Sequence, residues 1–158
     1  MTERPSVSIV IVARIPPPAL FAVTFVAGVL VQRALNPHRA RAEAMGPIGL
    51  AIIAAGILVA LWAVGLFARS HTTIVPHGHS SALVLRGPYR RSRNPMYVSL
   101  VLVYLGAALW ANAWVALVLL VLPIVVLNGI IIPMEESQLR ERFGDSYADY
   151  CRRVRRWL

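Results

Sequence analysis

Lysine is missing from this chain altogether, cysteine occurs once, and aspartate and glutamate together number 7 among 158 residues. With Cys151 alone, no intrachain disulfide can form and no zinc site can be built on cysteines. Cys151 reads as a spectator near the C-terminus rather than as a nucleophile. A cleavable leader is not indicated, because the apolar stretch 19–31 runs into Gln32-Arg33-Ala34 without a small-x-small cleavage site. His77-Gly78-His79 offers two imidazoles and no third ligand, so no metal site is expected there. Repeats and low-complexity tracts are also lacking.

What the chain has is apolar surface. Hydrophobic residues make up 58% of it, against roughly 45–50% in a soluble domain. Several apolar runs reach the roughly 18 residues needed to cross a hydrocarbon core about 30 Å thick. Breaks at Pro16-Pro17-Pro18, at Gly46-Pro47 and at Asn112-Ala113 divide these runs. They predict a single all-α membrane domain, residues 1–158, of about four transmembrane helices at 18–35, 47–68, 97–111 and 114–132. The third, at 1.5 Å per residue, covers only about 22 Å. The last two are joined by so little chain that they form a hairpin, with Trp110 and Trp114 flanking its tip. Residues 69–96 are too polar to cross and form a surface loop with an apolar patch, Ala82-Leu83-Val84-Leu85. Residues 134–158 predict an amphipathic helix, or two broken at Gly144-Asp145, since Leu139, Phe143, Tyr147, Tyr150 and Val154 recur at intervals of three or four.

The formal charge of +9 is carried by arginine alone. In a membrane chain such a charge first signals topology, and no nucleic-acid partner is expected. Thirteen arginines fall on the side of the termini: Arg4 and Arg14, five within 69–93, and six after Glu136. Arg33, Arg39 and Arg41 fall on the other. Both termini are therefore expected in the cytoplasm, as in a bacterial inner membrane protein, with the central loop and C-terminal helix sharing one compartment.

Two polar clusters sit where that hairpin opens. One is the string 83–97 before the third span; the other is Glu135-Glu136 after the fourth. Polar groups beside a bilayer are costly and tend to serve a function. Arginine offers a fork for a carboxylate, and an ionised glutamate accepts from hydroxyl or ammonium donors. Residue chemistry alone thus describes a site for an anionic or zwitterionic ligand. Each residue also has a plainer reading. Arg90, Arg91 and Arg93 could be topology charges or lipid-phosphate anchors, Tyr89 and Tyr97 members of an interfacial belt, and the glutamates a solvated helix start.

The string GPYRRSRNPMY, an apolar hairpin, and then EESQLRERFGDSYADYCRRVRRW resemble the signature of the isoprenylcysteine carboxyl methyltransferases and their phospholipid methyltransferase relatives. The resemblance covers residues 83–157, about half of the chain. It implies a methyl transfer from S-adenosylmethionine to a lipid-like or prenylated acceptor entering from the bilayer. It further implies that Leu83, Val84, Tyr89, Asn94, Pro95, Met96, Tyr97 and Glu135 line the S-adenosylmethionine pocket, with Arg93 and Glu136 close beside it. Asn94 stands where the eukaryotic enzymes have histidine, so no role requiring a titratable imidazole is assigned. Ser99 stands where glycine is usual. Ile131 stands where the prenylcysteine enzymes place an arginine towards the substrate, which argues against a prenylcysteine carboxylate. No catalytic base is evident. A carboxylate acceptor needs none, whereas an amine must arrive neutral. The competing expectation is a small non-enzymatic transporter or scaffold, which should carry a charged residue within a span; the spans hold little beyond Asn128 and the end-lying Gln32 and Arg33.

Overall fold

The computed structural model describes residues 15–35, 45–69, 83 and 85–158. Among these the protein is an all-α membrane bundle. Helix α1 spans Pro17–Leu35 and α2 Met45–Arg69, followed by a single 3-10 turn at Gly87–Arg90 and α3 at Pro95–Trp110. Then α4 (Trp114–Leu119), α5 (Val121–Val126), a π-helical turn Leu127–Ile131 and α6 (Ile132–Arg153) follow one another directly along the chain. His77-Gly78-His79 and Val84 fall outside the described residues.

Large apolar side chains face outward along these helices: Leu58 is 66% exposed, Val118 72% and Val23 67%. Water would not support so much exposed hydrocarbon, and lipid does. Inside, packing depends on small residues rather than on hydrophobic segregation, since the surrounding lipid is as apolar as the core. α2 lies against α3 where Gly49 meets Gly106, and a Cβ built on either glycine would come within 2.6 Å of the partner's carbonyl oxygen. α1 lies against α4, where a Cβ on Gly28 would come within 2.5 Å of the Ala116 Cα. Phe21 and Phe25 of α1 pack edge-on against Tyr104 of α3, with centroids 6.0 and 5.3 Å away. The Tyr104 hydroxyl donates to the Ala116 carbonyl at 2.9 Å.

The hairpin tip turns at Asn112, whose φ of 52° lies in the left-handed region that asparagine tolerates. Gln32, at the end of α1, holds that tip. Its amide donates to the Asn112 carbonyl at 2.6 Å and its side-chain oxygen accepts from the Val115 N–H at 3.1 Å. The tip is thus tied to the membrane face where α1 ends.

At the other end, α3 begins at Pro95, because proline at the first helical position loses only a donor that would be unpaired anyway. Pro133 has a different effect. It lacks an N–H for the preceding turn, and just before it the register slips so that the Ile132 N–H reaches the Leu127 carbonyl. One extra residue in a turn rotates everything after it by about 100°. That rotation sets which way Glu135 and Glu136 point. α6 then kinks at Gly144 (φ 50°, ψ −125°), where the sequence predicts its break. It stops at Arg153 rather than running to the end of the chain, because Val154 turns extended and the last residues pair elsewhere.

Candidate functional site

The open end of the hairpin brings the two polar clusters together. The Tyr97 hydroxyl, in the first turn of α3, donates to Glu135 Oε1 at 2.5 Å. An ionised carboxylate has about four acceptor positions, so this bond leaves Glu135 capacity for hydroxyl or ammonium donors. Tyr89 is buried on the 3-10 turn. Burial first, then the nearby Tyr150 and Glu135, holds its phenol neutral well above the ordinary range. The Tyr97 phenol and the Glu135 carboxylate meet where the helices leave the membrane, with Tyr89 buried on the turn that precedes α3.

The turn carrying Tyr89 is seated by Gly87. Its φ of 59° requires glycine, and a Cβ there would strike Leu66 and Trp62 of α2. From the other side the Tyr150 hydroxyl donates to the Tyr89 carbonyl at 2.7 Å. Leu83 packs with Tyr147, Tyr150 and Val154, a small apolar cluster that fastens the loop to α6.

Glu136, adjacent to Glu135, has a different environment. It is only 5% exposed. Arg156 grips it with two hydrogen bonds, Nε to Oε1 at 3.1 Å and Nη2 to Oε2 at 2.8 Å. Arg93 Nη2 lies 3.3 Å from Oε1. Hydrogen bonding to Glu136 also raises the Arg156 guanidinium further above its ordinary range. Arg93 in turn donates to the Cys151 sulfur at 2.6 Å, so Cys151, expected to be a spectator, takes part in this cluster. Buried charges demand such pairing.

The chain's end completes the arrangement. Arg155 pairs with Ser92 as a parallel bridge, and the Arg93 N–H reaches the Arg155 carbonyl at 2.9 Å. The Asn94 side-chain amide donates to the Arg156 carbonyl at 3.0 Å. Trp157 Nε1 donates to Asn128 Oδ1 at 2.9 Å, within the π-helical turn.

Of the residues expected at the site, Tyr97 and Glu135 touch directly, as do Arg93 and Glu136. Asn94 stands at the N-cap position of α3 with its side chain held by the tail rather than capping the helix, Pro95 is buried, and the Met96 carbonyl accepts from the Ser99 hydroxyl at 2.6 Å. Leu83 packs on the α6 side, and Val84 lies outside the described residues. Ile131 is a core residue, 6% exposed. Sequence reasoning missed Arg156, Trp157, Tyr150 and Ser92. Arg156 read as one of six topology charges, and nothing in apolar periodicity marks a residue recruited by a tail that doubles back.

Comparison with known proteins is consistent with this geometry. A family model described as phospholipid methyltransferase matches residues 45–146, from the start of α2 to beyond the kink in α6. An uncharacterized protein of Haemophilus influenzae is 41% identical over 66 residues, which is 40% of this chain and 100% of that relative. No solved structure matches.

Proposed function

The chain belongs to the phospholipid methyltransferase family, and on that premise we propose that it transfers the methyl group of S-adenosylmethionine to a lipid-like acceptor within the membrane. The observation that carries this reading is the Tyr97–Glu135 pair at the mouth of the hairpin, with Tyr89 beside it. The residue chemistry suits the donor: Glu135 would accept from its ammonium or ribose hydroxyls, and the phenol faces would pack against a flat base or a cationic sulfonium. When bound, the donor supplies a methyl carbon open to in-line displacement. The chain's part is positioning. Tyr97 fixes the carboxylate, Tyr89 walls the pocket, and the apolar flanks of α4 and α5 leave a route from lipid for the acceptor. A carboxylate nucleophile would need no base, and an amine would have to arrive neutral.

The scaffold or transporter reading is less well supported. Asn128, the polar residue within the fourth span, has its amide engaged with the Ile124 carbonyl and its oxygen with Trp157, so the fold itself accounts for it. The deciding measurement is calorimetry on the protein in nanodiscs. S-adenosylmethionine and its demethylated product should both bind, and Tyr97→Ala should weaken both by about tenfold, as loss of a hydrogen bond to a charged group would. Folded protein giving no heat with either compound would overturn the donor assignment.

The arginine distribution supports an orientation with the site and both termini in the cytoplasm of a bacterial inner membrane. Single cysteines in a Cys151→Ser background test it. Trp114→Cys should react with an impermeant maleimide only from outside, and Arg152→Cys only after permeabilisation. The reverse pattern would refute the orientation.

A further inference from the structure

The tail after α6 lies beyond the residues that match the family, yet it is hydrogen-bonded to the site. Its contacts fall on both polar clusters. Arg156 holds Glu136 through its side chain and Asn94 through its backbone carbonyl. Arg155 pairs with the Ser92-Arg93 backbone, and Trp157 reaches Asn128 in the π-helical turn that sets the direction of the glutamates.

The two glutamates raise a problem of selection. Adjacent carboxylates repel, and each would attract a cationic donor or a nearby arginine. They are distinguished by their partners: Glu135 holds the Tyr97 phenol, while Glu136 is neutralised by Arg156 and Arg93. Arg140 forms only a longer, exposed ion pair with Glu136, 3.9 Å from Oε2 with its side chain 64% exposed. Without Arg156, Glu136 would keep only Arg93 at close range. Arg93 also serves Cys151, and its N–H is bonded within the strand-like pairing that leads directly into Asn94 and α3. Any pull on Arg93 is thus passed to the turn that places Tyr97.

We propose that Arg156 is a positioning residue for the donor pocket: its bidentate hold on Glu136 leaves Glu135 as the carboxylate that meets the donor and keeps the 92–94 turn in register for Tyr97. This rests on the donor reading above. Arg156 acts through Glu136, so the two positions must be coupled.

The experiment is a double-mutant cycle on the full-length protein in nanodiscs, comparing wild type, Arg156→Ala, Glu136→Gln and the double variant, with Arg156→Lys as the conservative change. Affinity for S-adenosylmethionine and the thermal midpoint are read for each. Arg156→Ala should weaken binding about tenfold, and Arg156→Lys should recover only part of that, since an ammonium keeps the charge but lacks the fork. In the Glu136→Gln background, removing Arg156 should cost less than about threefold, because no buried carboxylate is left unpaired. An equal tenfold loss in both backgrounds, or wild-type affinity in Arg156→Ala, would overturn the proposal. If Arg156→Ala fails to fold, Arg156→Lys with and without Glu136→Gln closes the same cycle. If folded wild type binds no donor, the donor reading fails separately. The midpoints then decide the pairing, and additive shifts would refute that as well.

Discussion

Glu135→Gln is expected to weaken S-adenosylmethionine binding by roughly ten- to a hundredfold, the equivalent of about 1.5–3 kcal/mol for a charge-assisted hydrogen bond lost from a partly buried site. The substitution preserves shape and removes only the charge. It also turns one acceptor oxygen into a donor, which would face hydroxyl or ammonium groups that are themselves donors. The Tyr97 phenol keeps a partner in the remaining amide oxygen, so the entry to α3 should hold and the thermal midpoint should move little. Glu136→Gln should behave in the opposite way. Its carboxylate is spent on Arg93 and Arg156, so the change should register in stability before it registers in donor affinity. Calorimetry and thermal denaturation on the same two preparations separate these outcomes. If Glu135→Gln binds the donor like wild type, the pocket has been placed on the wrong carboxylate.

That contrast marks how far the sequence could be read. The all-α membrane architecture followed from length and apolar content, and the starts of α1 and α3 from proline placement, because those quantities bear on what can cross a bilayer and where a helix begins. Pairing of the two polar clusters followed from the shortness of the Asn112-Ala113 turn, which forces the open end of the hairpin to gather 83–97 and Glu135-Glu136. What Glu135 and Glu136 each do was not legible. Their directions depend on a register slip of one residue at Leu127–Ile131, and a π-helical turn has no compositional mark beyond the proline that follows it. The tail was equally opaque. Residues 154–157 continue the arginine-rich helical pattern in sequence, but leave the helix because backbone pairing with Ser92 and the grip on Glu136 offer partners that solvent-facing helix would not. Local propensity contains no trace of a contact made so far along the chain.

The bundle itself hangs on a contact that sequence reading passed over as mere apolar content, and Gly106→Leu is expected to destabilise it by about 3 kcal/mol or more, at or beyond the top of the usual range for overpacking. At Gly106 a single Cβ would lie 2.6 Å from the Gly49 carbonyl oxygen and 2.8 Å from the Ile53 nitrogen. Both are backbone atoms of α2 and cannot rotate aside as a side chain would. Leucine can be accommodated only if α2 and α3 separate, and separation dissolves the close packing that holds helices together in lipid, where hydrophobic segregation supplies nothing between them. The strain would also reach the site. Gly87, which seats the Tyr89 turn, rests on Trp62 and Leu66 of α2, while Tyr97 starts α3. Parting the two helices therefore moves Tyr89 away from Tyr97, and donor binding should be lost together with stability. Gly65→Leu is the matched control, for a Cβ there meets nothing within 4 Å, and the same side chain should be tolerated facing lipid. Thermal denaturation of both variants in one detergent decides the matter. Equal midpoints would mean that the α2–α3 contact at Gly49 and Gly106 does not hold the bundle.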